Sequence, residues 1–146
     1  MPVVQIARRH SALTTLLAVL LAASLWIAPG AQAREDAIRG VIADQIEAFR
    51  ADDFARAFDH ASDGIRRMFG TPERFGRMVR EGYPMVYRPE TLRFGALREA
   101  HGRLWQRVIV TDGDGRLHML EYEMIEGENG WRINGVMRAP GQGAGA

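Results

Sequence analysis

The sequence predicts an α+β fold in which N-terminal helices pack on a curved antiparallel β-sheet, preceded by a signal peptide. Three observations carry this. Before Gly82 the apolar residues recur at helical spacing, as in Ile38, Val41, Ile42, Ile46 and Phe49. After it they alternate, as in LWQRVIVT at 104–111. And an uncharged apolar run at 12–27 lies between Arg8-Arg9 and Ala31-Gln32-Ala33, the order of a secretory signal and its cleavage site.

Residues 1–33 therefore read as a signal removed after Ala33, with Pro29 and Gly30 breaking any helix. The apolar run is shorter than the roughly 20 residues a spanning helix needs. Membrane contact is thus expected only through this segment before cleavage, and the destination is the periplasm. Ser11 stands where a twin-arginine signal wants an aromatic.

Residues 34–138 form the expected single domain. A helix over 36–50 carries the isoleucine stripe, with Gln45 inside it. A second starts at the N-cap Asp52 and buries Phe54, Ala57, Phe58 and Ala61. Ser62 or Asp63 caps a short third helix that carries Ile65, Met68 and Phe69 and closes at Gly70. Thr71-Pro72-Glu73 restarts a fourth, with cap, proline and acid in order. Its inner face is Phe75, Met78 and Val79, and Gly82 stops it.

Strands follow at 85–88, at 92–99 (interrupted by Gly95), at 104–111, at 116–126 and at 131–138. Glu128-Asn129-Gly130 marks a hairpin, and Gly135 a bulge or bend. A turn through Asp112-Gly113-Asp114-Gly115 sets Thr111 opposite Arg116, Ile109 opposite His118, Arg107 opposite Leu120 and Trp105 opposite Tyr122. One face then gathers Trp105, Ile109, Leu120, Tyr122 and Met124. The other gathers Leu104, Val108, Val110, Leu117, Met119, Glu121 and Glu123. A slip of one residue would exchange the faces. Residues 139–146 read as a disordered low-complexity tail.

Composition removes several function classes. After residue 33 there are 17 arginines against 18 acidic residues, a formal charge of −1, so no basic excess argues for nucleic acid. The chain has no cysteine, which excludes thiol nucleophiles, thiolate metal sites and disulfides. His60, His101 and His118 lie on separate elements without ligand spacing, and Asp112–Gly115 lacks the later ligands of a calcium loop. No metal and no cofactor is expected.

The order of elements, the ending NGWRINGV at 129–136, and an opening helix with an inward Gln45 followed by AFRADDFARAF resemble the NTF2-like superfamily. FDHASDGIRRMFGTPERFGRMVREGYP is similar to an uncharacterised exported bacterial family carrying only a domain-of-unknown-function label. The resemblance implies a cone: a curved sheet wrapping a helix and leaving a pocket. It implies no activity, since that superfamily hosts enzymes, binding modules and dimerising scaffolds.

The stretch FDHASDGIRRMFG holds the sole serine after residue 33, but HASDG follows a helix where a nucleophile elbow follows a strand. Ser62 is better read as a cap, and no catalytic residue is assigned. His60, about 100° off its helix's buried stripe, lines a pocket rim or bonds to a neighbouring loop, the latter being the default. Gln45 either offers donor and acceptor to a ligand or bonds to backbone. Glu121 and Glu123 share a face, which is expected to be exposed and charge-paired, with Gln106 opposite Glu121. The expected ligand-binding residues are Gln45, His60, Tyr83, Tyr87, Trp105 and Tyr122. The expected function is non-catalytic: a small apolar or amphipathic ligand in the cone, or pairing through the sheet as a homodimer or with an envelope protein. The rival is an isomerase, cyclase or dehydratase using His60 with Asp59 or Asp63 and a tyrosine.

Overall fold

In the computed structural model, residues 29–140 are described. Expectations for residues 1–28 and 141–146, most of the signal and most of the tail, lie outside them. The chain divides between Gln32 and Ala33, and the account below concerns the unit that starts at Ala33.

Helix α1 (Pro29–Arg50) contains the helix expected at 36–50 and, among the described residues, also includes those before Asp36. Ile38, Ile42 and Ile46 are fully buried, Phe49 is 1% exposed, and Glu47 faces solvent. Asp52 takes a left-handed φ of 56°. The cap of α2 (Phe54–Asp59) is therefore Asp53, one residue later than expected, accepting from the Arg56 N–H.

Ser62 caps α3 (Asp63–Phe69), and Thr71 caps α4 (Pro72–Gly82) with Pro72 at its first position. Of the three apolar residues α3 carries, Met68 is 76% exposed. The strand expected at 85–88 is instead a helical turn, α5 (Pro84–Tyr87), with adjacent Met85 and Val86 both buried. Four residues after a proline carry no period that separates strand from helix, and Pro84 nucleates the turn.

Strands β1 (Thr91–Ala100), β2 (Arg103–Thr111), β3 (Leu117–Gly127) and β4 (Gly130–Arg138) make a four-stranded antiparallel curved sheet in sequential order. The helices cover one face. β1 bulges between Phe94 and Leu97, and β4 carries Asn134 as an extra residue next to Gly135.

The β2–β3 register differs by one residue from the expected one. Thr111 pairs with Leu117, Val110 with His118, Val108 with Leu120, Arg107 with Glu121 and Gln106 with Tyr122. The loop is one residue longer than Asp112–Gly115. The Gly115 N–H donates to Asp112 O, Gly115 has φ 78°, and the Asp112 N–H donates to Arg116 O. A turn with a left-handed glycine followed by a bulge is the usual three-residue hairpin. Asp112 Oδ1 locks it by accepting from the Asp114 and Arg116 N–H groups, each at 3.0 Å. The slip puts Val108, Val110, Leu120, Tyr122 and Met124 together on the core face, so neither valine of β2 faces solvent.

Trp105, Ile109, Met119, Glu121 and Glu123 then share the outer face. Glu121 and Glu123 are charge-paired as expected but not exposed, at 1% and 8%. Arg107 grips Glu121 at 2.6 and 2.9 Å, and Arg103 holds Glu123 at 3.0 Å. The long arginine stems cover the carboxylates. Gln106 lies opposite Tyr122 on the core face, not opposite Glu121, and its amide donates to Gly95 O at the β1 bulge. Ala139, assigned to the tail, is buried, and its N–H donates to Met119 O.

Candidate functional site

A cavity of about 280 Å³ lies between the helices and the core face of the sheet. α1 contributes Gln45 and Phe49, α3 contributes Ile65, Met68 and Phe69, and α4 contributes Phe75, Met78 and Val79. Tyr83 and Val86 close one side, and Tyr122, Ile133, Asn134 and Val136 form the sheet wall. Phe75 is the centre of an aromatic cluster, with ring centroids 6.0 Å from Phe49, 5.3 Å from Phe58 and 5.7 Å from Phe69. These rings join α1, α2, α3 and α4 to one another. Exposed Met68 stands at the mouth.

The lining is apolar except for four groups. Tyr83 Oη donates to Val136 O at 3.0 Å. Gln45 spends one amide donor on Ala57 O at 3.1 Å, the backbone bond of its second reading, and its side chain also lines the cavity. Asn134 is held from two sides, accepting from Ser62 Oγ at 2.8 Å and donating to Glu123 Oε1 at 3.2 Å. Tyr122 is wholly buried, and its hydroxyl has no hydrogen-bond partner. Burial, and secondarily the nearby Tyr83, push its pKa well above the usual phenol range, so the hydroxyl keeps its proton.

Of the six expected ligand-binding residues, the fold brings Gln45, Tyr83 and Tyr122 to this cavity. His60, Tyr87 and Trp105 lie elsewhere. His60 does not bond to a loop: its Nε2 meets Asp44 Oδ2 of α1 at 2.6 Å, and Arg56 Nε reaches the same oxygen at 3.0 Å. With an ionised aspartate the histidine must donate. Burial, then Arg132 and Arg56, hold the His60 pKa below the ordinary histidine value, with Asp59 opposing. Tyr87 stacks on Phe54 and donates to Asp52 Oδ1. Trp105 lies on the outer sheet face, with the Arg98 guanidinium 5.9 Å from its ring. Asp59 is exposed and approaches Arg66 at 3.9 Å, away from His60.

Asn134 of the wall and Ser62, which holds it from behind, are not among the six expected residues. Ser62 was read only as a cap, yet it also anchors Asn134. That link follows from an isolated parallel bridge between Ala61 and Ile133, in which the Ser62 N–H donates to Ile133 O and the Ile133 N–H to His60 O, both at 2.8 Å. Asn134 had a signal: a polar residue beside a glycine inside a strand is the mark of a bulge.

His118 Nε2 meets Asp112 Oδ2 at 2.7 Å, and this bond, with those from Arg116 and Asp114, lowers the Asp112 pKa. The Asp112 carboxylate thus serves its own turn. Among the described residues no group of three or more His, Asp or Glu side chains is placed to hold a metal ion, and no helix is long and apolar enough to cross a membrane.

Fold and cavity define the class: an α+β domain whose helices and curved antiparallel sheet enclose an apolar chamber with a buried tyrosine hydroxyl. The chain belongs to the family described as domain of unknown function (DUF4864), whose model matches residues 31–146. No curated protein and no solved structure matches it.

Proposed function

We propose that this is an NTF2-like domain that binds a small apolar ligand between its helices and sheet, acting in the periplasm after its signal is removed. The observation that carries the reading is the Tyr122 hydroxyl, buried and unpartnered on the wall of a largely apolar chamber. A buried polar group without a partner costs about 1–3 kcal/mol, a cost that a ligand relieves. The volume sits near the lower end of small-molecule sites, about 300–1,000 Å³. The polar groups of the lining are amides and phenols, which orient a ligand and do not suit proton abstraction at neutral pH. Export rests on the sequence pattern of residues 1–33.

The test is one preparation. The protein is expressed with its own N-terminus and recovered from the periplasmic fraction, its first residue is read, and co-purifying small molecules are profiled by mass spectrometry. An Ile65→Trp variant, which fills the chamber, is treated in the same way. The expected result is a mature terminus at Arg34 and a small apolar compound enriched on the wild type and depleted on the variant. Identical extracts from the two would refute the binding reading.

A second reading is favoured by the outer sheet face and its rim, where Leu117, Ile125 and Met137 are 56%, 38% and 48% exposed. Such a surface fits pairing with a second copy or an envelope protein. Light scattering on the same preparation tests it: a monomer at every concentration would count against self-pairing.

A further inference from the structure

Resting on the binding reading above, the geometry points to the kind of ligand and its direction of entry. We propose that the ligand is uncharged and goes in polar end first: an oxygen acceptor, such as a ketone or ether, takes the Tyr122 Oη–H at the closed end, and an apolar body extends toward Met68 at the mouth.

Four observations converge. First, the unsatisfied group is deep: Tyr122 is fully buried, whereas Met68 is 76% exposed. A ligand with its polar end at the mouth would leave the hydroxyl orphaned, which buried groups in native proteins rarely are. Second, the other polar groups of the wall are committed. Tyr83 has given its proton to Val136 O, Asn134 is used by Ser62 and Glu123, and one Gln45 donor is bound to Ala57 O. Each of those two amides keeps a second N–H, but of the described lining atoms the Tyr122 hydroxyl is the one that is buried with no partner at all, so the ligand atom set against it is an acceptor. Burial keeps that phenol protonated and able to donate.

Third, the lining contains no arginine, histidine, aspartate or glutamate. A carboxylate or ammonium carried to the closed end would lose its hydration and meet no counter-charge, a cost far above what one hydrogen bond returns. The abundant arginines of the chain do not contribute to this wall. Fourth, the chamber is close to twice the ~150 Å³ of an apolar cavity known to hold benzene. That admits a body of one or two rings, or a short chain.

The experiment uses the full chain, Tyr122→Phe, and three probes of one shape: acetophenone, ethylbenzene and benzoate, titrated at pH 7 by protein-detected NMR. The wild type is expected to bind acetophenone several-fold tighter than ethylbenzene and to show no saturable binding of benzoate. Tyr122→Phe is expected to lose about five- to tenfold in acetophenone affinity, the worth of one buried hydrogen bond, and to keep or improve its ethylbenzene affinity. The variant removes one oxygen that has no partner, so it should melt at or above the wild-type temperature. The probe comparison within the wild type stands even without the variant. Acetophenone and ethylbenzene binding equally in both proteins would overturn the inference, because a water then suffices for the hydroxyl, while the binding reading survives. Benzoate binding as tightly as acetophenone would overturn it too. If neither neutral probe binds the wild type, the binding reading falls with it.

Discussion

Gly76 fixes how closely α4 approaches α2, and substituting it tests the packing that shapes the chamber wall. A Cβ at Gly76 would stand 2.4 Å from Phe54 Cδ1 and 2.7 Å from both Cε1 and Cγ. Carbon atoms rest at about 3.5–4.0 Å, so roughly 1 Å must open. Phe54 is only partly buried, and its ring can swing outward. Doing so gives up its stack on Tyr87, at 6.1 Å, and the Arg80 guanidinium 5.1 Å from its centroid. Overpacking of this kind costs about 1–3 kcal/mol. Alanine recovers about 1 kcal/mol of helix propensity. Gly76→Ala should therefore be destabilising by about 1 kcal/mol.

Gly40 is the matched control. It lies within α1 with nothing inside 4 Å of a built Cβ. There the propensity gain stands alone, and Gly40→Ala should be stabilising by about 0.8–1 kcal/mol. Urea unfolding followed by circular dichroism measures both, and the two midpoints should move in opposite directions with equal slopes. If Gly76→Ala is as stable as Gly40→Ala, the close α2–α4 contact does not hold in solution and the reasoning fails.

Two further outcomes follow from the junction beneath the cavity. Ser62→Ala removes the cap on the Ile65 N–H and the donor to Asn134 Oδ1, and should lower the unfolding free energy by about 1–2 kcal/mol; an unchanged urea midpoint would show that neither bond contributes. His60 should titrate below its ordinary 6.5, because burial, Arg132 and Arg56 disfavour its charged form. The folded state then binds fewer protons than the unfolded one below pH 6.5, so stability is full above that pH and falls as pH drops toward the folded midpoint. Imidazole NMR shifts read the midpoint directly, and a value above 6.5 would mean that the Asp44 ion pair dominates.

How much was legible follows from which interactions are local. The capping residues Ser62 and Thr71, the proline starting α4, the isoleucine stripe of α1 and the hairpin at Glu128-Asn129-Gly130 each act over a few residues, and the structure has each of them. The strand at 85–88 was illegible because four residues hold too little period to distinguish strand from turn. The hairpin register was illegible because Asp112–Gly115 accommodates two loop lengths, and the choice belongs to the core.

By itself the sequence determined a helical half that packs on an antiparallel half, without thiol chemistry and with no basic excess. It also placed Gln45, Tyr83 and Tyr122 among six candidate residues. Only the tertiary structure separated these three, which reach the chamber, from His60, Tyr87 and Trp105, which do not. A one-residue shift in β-pairing exchanges the two faces of a sheet. Burying Val108, Val110 and Leu120 together chose the register that turns Tyr122 into the chamber and Trp105 away from it. The solitary state of the Tyr122 hydroxyl, on which the functional reading rests, is a property of every element around it and of no segment alone.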